Sequence, residues 1–83
     1  MLLFYQIWSF DRCRLTEIDL STLKALNFLY LSNNQLSSVD LTALPSLDSL
    51  WLNNNPISAI DVSQNPNLCN LKLDYTGITE IDV

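Results

Sequence analysis

The stretch LNFLYLSNNQL, Leu26–Leu36, returns 21 residues later as LDSLWLNNNPI (Leu47–Ile57) and again as LCNLKLDYTGI (Leu68–Ile78). The aliphatic letters keep their places while the letters between them change. A fixed interval of this kind marks stacked units, each too small to bury its apolar face alone. Three leucine columns are complete within the stretch: Leu26/Leu47/Leu68, Leu29/Leu50/Leu71 and Leu31/Leu52/Leu73. Further columns continue the period: Leu15/Leu36/Ile57/Ile78, Ile18/Val39/Ile60/Ile81 and Leu20/Leu41/Val62/Val83.

One period upstream, Tyr5, Trp8 and Phe10 fall in the three leucine columns, and Cys13 falls in the column of Asn34 and Asn55. The opening MLLFYQIWSF is therefore read as a degenerate first coil with rings in leucine places. It lacks the basic start and small-residue cleavage site of a signal peptide.

In FLYLS, Leu29 and Leu31 alternate with Phe28, Tyr30 and Ser32. Alternation with period two puts the leucines on one face of a short strand. Stacked coils then set such strands side by side, about 4.8 Å apart, as a parallel sheet. Asn34 and Asn55 follow the strand, where an amide can pair turn backbone that would otherwise be buried unpaired. Cys13 and Thr76 complete this turn ladder with weaker hydrogen-bonding groups. Next come LTEIDLS, LSSVDLT and ISAIDVS, whose alternation suggests a second short extended segment. Ser21, Thr42 and Ser63 then stand where N-caps would. STLKAL is expected to form a helical turn, whereas Pro45 and Pro66 impose tight turns on the later copies.

The shared line is L-x-x-L-x-L-x-x-N/C-x-L, and it resembles the leucine-rich repeat family over nearly the whole chain. Thr76 departs from the expected Asn, and Asn65 interrupts the column of Leu23 and Leu44. The 21-residue length, with DLS or DVS after an apolar position, looks most like bacterial internalin-type repeats. The resemblance implies an α/β repeat that is mostly β. Its form is a right-handed solenoid of about four coils, with a parallel concave sheet and a thin, nearly helix-free convex side. The units would be residues 1–14 (degenerate), 15–35, 36–56, 57–77 and a partial 78–83. Because no polar capping coil is evident, the segment is expected to be a piece of a longer array, or to self-associate end to end. An extracellular or cell-surface location is implied by the resemblance alone.

Outward positions of the main strands are not fixed by packing. They form the columns Ile7/Phe28/Ser49/Asn70, Ser9/Tyr30/Trp51/Lys72 and Asp11/Ser32/Asn53/Asp74, with Arg12/Asn33/Asn54/Tyr75 just beyond. Phe28, Tyr30 and Trp51 are expected to anchor a partner as a ring platform, since Trp and Tyr dominate binding hot spots. Asn53, Lys72, Asp74, Tyr75, Asp11 and Arg12 would surround it. Truncating Tyr30 and Trp51 should then abolish binding without disturbing secondary structure. The implied function is non-enzymatic protein recognition through the concave face. The alternatives are a structural spacer within a longer array and a carbohydrate-binding adhesin surface.

Composition narrows the partners. A net charge of −5 opposes binding to nucleic acid, and no apolar run approaches the ~20 residues of a membrane span. The chain contains no His and no catalytic or cofactor motif. The column Asp19/Asp40/Asp61/Asp82 is expected to be held by hydrogen bonds from Ser21, Thr42 and Ser63. A Ca²⁺ stack is the alternative, but no Gly-bearing acidic loop supports it. Cys13 and Cys69 lie three strand spacings apart, about 14 Å. That exceeds the ~7 Å reach of a disulfide, so both should be free thiols.

Overall fold

The computed structural model describes residues 5–82; Met1–Phe4, Val83 and the side chains of Glu80 and Asp82 lie outside the description. The expected fourth member of the aspartate column is therefore known only by its backbone.

Six short strands form: β1 (Ile7–Ser9), β2 (Phe28–Tyr30), β3 (Ser49–Trp51), β4 (Ala59–Asp61), β5 (Asn70–Lys72) and β6 (Glu80–Asp82). β1, β2, β3 and β5 make a four-stranded parallel sheet in that order, and β4 pairs with β6. The register follows the sequence period. Trp8, Leu29, Leu50 and Leu71 are consecutive partners, as are Ser9, Tyr30, Trp51 and Lys72. Backbone pairing runs on past the strands: Leu31 N donates to Trp51 O at 2.8 Å and Leu52 N to Lys72 O at 2.9 Å. A parallel ladder with this connectivity fits a leucine-rich repeat solenoid.

Leucines build the core. Leu26, Leu29, Leu31, Leu36, Leu47, Leu50 and Leu52 have no exposed surface. The aromatic first coil fits less well. Phe10 packs against the core, but Trp8 is 37% exposed and Tyr5 63%. Tyr5 does not take the core place its column predicts. Its ring lies 5.6 Å from that of Phe28, on the outward side of the sheet.

The turns carry two corrections. STLKAL forms no helical turn, and among the described residues there is no helix. Leu23 N donates to Leu20 O and Leu26 N to Leu23 O, and the same double turn recurs at Leu41–Leu47 and Val62–Leu68. Stacking thus imposes one back on all three copies, whether or not proline is present. Ser21, Thr42 and Ser63 cap nothing; their backbone N–H groups donate to Asp19, Asp40 and Asp61 instead. The second extended segment is regular only at β4 and β6 among the described residues.

The asparagine ladder bridges coils. Asn34 Oδ1 accepts from Cys13 N and Leu15 N, while its Nδ2 donates to Phe10 O (2.8 Å) and Leu31 O (2.9 Å). Asn55 Nδ2 donates to Leu31 O and Leu52 O, and its Oδ1 accepts from Leu36 N. Thr76 reaches only Leu73 O and Ile78 N, within its own turn. Asn65 explains its own departure from leucine. It is 4% exposed, and its Nδ2 donates to Leu41 O and Leu44 O of the preceding turn. A second side-chain bridge between coils, not anticipated from sequence, is made by Asn27. Asn27 Oδ1 accepts from Gln6 N, and Asn27 Nδ2 donates to Ser46 O.

Candidate interaction surface

The outward columns form one continuous face because the register is unbroken. On it the rings form a ladder. Phe28 and Tyr30 centroids are 6.5 Å apart, and Tyr30 and Trp51 are 4.5 Å apart at 47°. Lys72 Nζ sits 5.3 Å from the centre of the Trp51 ring, a cation–π contact. With Tyr5 against Phe28, five side chains run in series across the sheet. The rings of Phe28, Tyr30 and Trp51 are half-buried, whereas Tyr5 is exposed. Truncating Tyr30 and Trp51 would therefore remove packing as well as contact surface, so a silent effect on the fold is not expected.

Beside the rings lies a groove of about 370 Å³, lined by Asp11, Tyr30, Asn33, Trp51, Asn53 and Lys72 among others. Asn53, expected in a polar surround, is 9% exposed, and its Oδ1 accepts from Ser32 Oγ at 2.6 Å. Asp11 is held by Asn33 Nδ2 at 2.8 Å and by Arg12 at 3.6 Å. Lys72 and Asp74 stay exposed.

Just past the strands, Arg12, Asn33, Asn54 and Tyr75 all adopt left-handed backbone, with φ of 58°, 60°, 62° and 57°. Asn tolerates this region, whereas other non-glycine residues lose about 1–2 kcal/mol there. At three of the four the turn extends the ladder: Arg12 N donates to Ser32 O, Asn33 N to Asn53 O and Asn54 N to Asp74 O. Tyr75, in the same turn, is 81% exposed.

A family model for leucine-rich repeats, in two copies, matches residues 24–65, just over half of the chain. The chain belongs to the leucine-rich repeat family. No curated protein and no solved structure matches it. The matched span covers β2, β3 and β4, with Phe28, Tyr30, Trp51, Asn53, Asn34 and Asn55. Asp11, Arg12, Cys13, Lys72, Asp74, Tyr75 and Thr76 stand outside it.

On the other side of this leucine-rich repeat, the aspartate column is a set of local turns. Asp40 accepts from Thr42 N at 3.0 Å and from Thr42 Oγ1 at 2.7 Å. Asp19 and Asp61 accept from Ser21 N and Ser63 N at 3.0 and 2.8 Å. The neighbouring hydroxyl and then the N–H hold all three carboxyls below the ordinary carboxylate range. The Thr42 hydroxyl alone reaches full hydrogen-bond geometry; the Ser21 and Ser63 hydroxyls act on their carboxylates from weaker geometry. Among the described residues, no three acidic or cysteine side chains converge as a metal would require.

Depressed folded-state values mean that these aspartates add stability above the unfolded carboxylate pKa of about 3.9, and lose it as pH falls through the lower folded values. The thermal midpoint should hold from pH 7 towards about pH 4 and decline below it. Replacing Asp19, Asp40 and Asp61 together by Asn, which keeps an acceptor that does not titrate, should flatten that decline. An acid limb identical to the wild type would contradict this role.

Cys13 and Cys69 are free and exposed. Cys69 Sγ donates to Asp48 Oδ1 at 3.1 Å. That hydrogen bond is the main reason its pKa is raised, so the thiol stays protonated and poorly nucleophilic.

Proposed function

We propose that this leucine-rich repeat is a non-enzymatic module that recognises a protein through the outward face of its four-stranded sheet. The observation that carries the reading is the contrast between the two sides of the strands. Inward positions in and just after β2 and β3 are fully buried leucines: Leu29, Leu31, Leu50 and Leu52. Outward ones carry a ladder of rings and a polar groove, with the exposed Tyr75 just beyond. The backbone at Tyr75 belongs to the turn that each coil repeats, but its exposed side chain is free for contact. Leucine-rich repeat domains in general mediate protein–protein interaction, and the resemblance to internalin-type repeats points the same way. A sugar is less well served. Sugar stacking needs a free ring face, and the Trp51 ring is engaged by both Tyr30 and Lys72.

Site-specific photo-crosslinking in the producing cells tests the proposal. A photoreactive phenylalanine at Asn70, exposed on the outward sheet face, should give a discrete adduct with another protein. The same group at Ser38, exposed on the opposite side, should not. Adducts from Ser38 alone, or equally from both positions, would contradict the assignment.

A further inference from the structure

The groove has an imbalance between hydrogen-bond donors and acceptors at its β3–β5 end. Asn53 is 9% exposed and lines the groove. Its Oδ1 is satisfied by Ser32, but among the described residues its Nδ2 donates to nothing. Trp51 Nε1 is buried, with no acceptor among the described residues. Lys72 Nζ rests over the Trp51 ring, and among the described residues it has no carboxylate at ion-pair distance. The one ion pair among the described residues joins Arg12 to Asp11. Asp11 itself is already engaged by Asn33 as well. Three side chains that line one groove, one of them cationic, thus carry donors without an acceptor among the described residues.

Resting on the protein-recognition reading above, we propose that this Trp51–Asn53–Lys72 corner is a subsite for a carboxylate: it takes an Asp or Glu side chain of the partner protein. A carboxylate offers two oxygens with several lone-pair sites, which suits several unpaired donors. Bonds from an ammonium to it are charge-assisted. A buried donor without a partner carries a standing penalty, which an arriving acceptor removes. One group opposes binding: Asp74 stands beside Asn53 in the same outward column and is exposed. It makes no hydrogen bond through its side chain among the described residues, and it weakens the subsite by repulsion.

Nitrogen-15 NMR titration of the full chain tests this, using blocked tripeptides Ala-Glu-Ala, Ala-Gln-Ala and Ala-Lys-Ala. The Glu peptide should shift the Trp51 indole and Asn53 side-chain amide signals, and bind about tenfold more tightly than the Gln or Lys peptide. Lys72→Met, which keeps an apolar stem over the ring, should remove that preference. Lys72→Arg should retain it, and Asp74→Asn should tighten Glu binding about threefold. Equal binding of the Glu and Gln peptides on this face overturns the carboxylate subsite while leaving protein recognition by the sheet intact. Shifts confined to the opposite side, around Ser38 and β4, contradict both. No shift with any peptide, or an undiminished preference in Lys72→Met, also overturns the subsite.

Discussion

Asn55→Ala is expected to lower the thermal midpoint by roughly 15 °C or more. Asn55 is 2% exposed, and its amide ties the carbonyls of Leu31 and Leu52 and the N–H of Leu36 across two neighbouring coils. Alanine leaves Leu52 O and Leu36 N buried without partners, at about 1–3 kcal/mol each, while Leu31 O keeps the bond from Asn34 Nδ2. Some relax or find other partners, so about 3–5 kcal/mol is a reasonable net loss. A domain of this size has on the order of 4–12 kcal/mol in total. Thr76→Ala is the control. Thr76 bonds only within its own turn and is half-buried, so about 1 kcal/mol is expected. Urea or thermal unfolding of the two variants checks the ranking, and equal losses would show that bridging between coils is not what the asparagines contribute.

Leu50→Ala is the second large effect, at about 3–5 kcal/mol, towards the upper end for leucine truncation. Leu50 is fully buried and lies between Leu29 and Leu71 in the strand register. A cavity there has rigid neighbours on both sides along the stack and little freedom to collapse. Leu71→Ala in the same row should cost clearly less, because Leu71 is only half-buried. Chemical denaturation of both variants tests this. A loss at Leu71 matching that at Leu50 would mean that position in the stack does not govern the penalty.

What could be read from sequence was whatever packing repeats. The rows through Leu29, Leu31 and Leu36 were readable because each coil meets the same constraint at the same step. So were the hydrogen bonds from Ser21, Thr42 and Ser63 to the aspartates, which are local. The departures have particular causes. Tyr5 has the column position of a leucine but not its size, and it finds a partner in Phe28 on the outward side. STLKAL has helical composition, but stacking against neighbours gives it the same double turn as the copies with proline. Asn65 reads as a broken column, yet its amide pairs the carbonyls of the preceding turn. On the outward face, sequence placed Phe28, Tyr30, Trp51, Lys72 and Asn53 together correctly. It could not show that the rings pack on one another, or that Asn53 sinks into the groove. Those outcomes depend on side-chain rotamers and distances that a column of letters does not carry. The left-handed turn at Tyr75 was hidden for a related reason: Asn33 and Asn54 hint at it, but tyrosine rarely occupies such backbone.

The account depends on a 21-residue register that lines the inward leucines up and turns the intervening side chains to one face. Methyl–methyl nuclear Overhauser contacts in leucine-labelled protein test it directly. Leu50 should show contacts to both Leu29 and Leu71, with Leu29 and Leu71 showing none to each other. Contacts from Leu50 to only one of them, or a direct Leu29–Leu71 contact, would contradict the register and the binding face built on it.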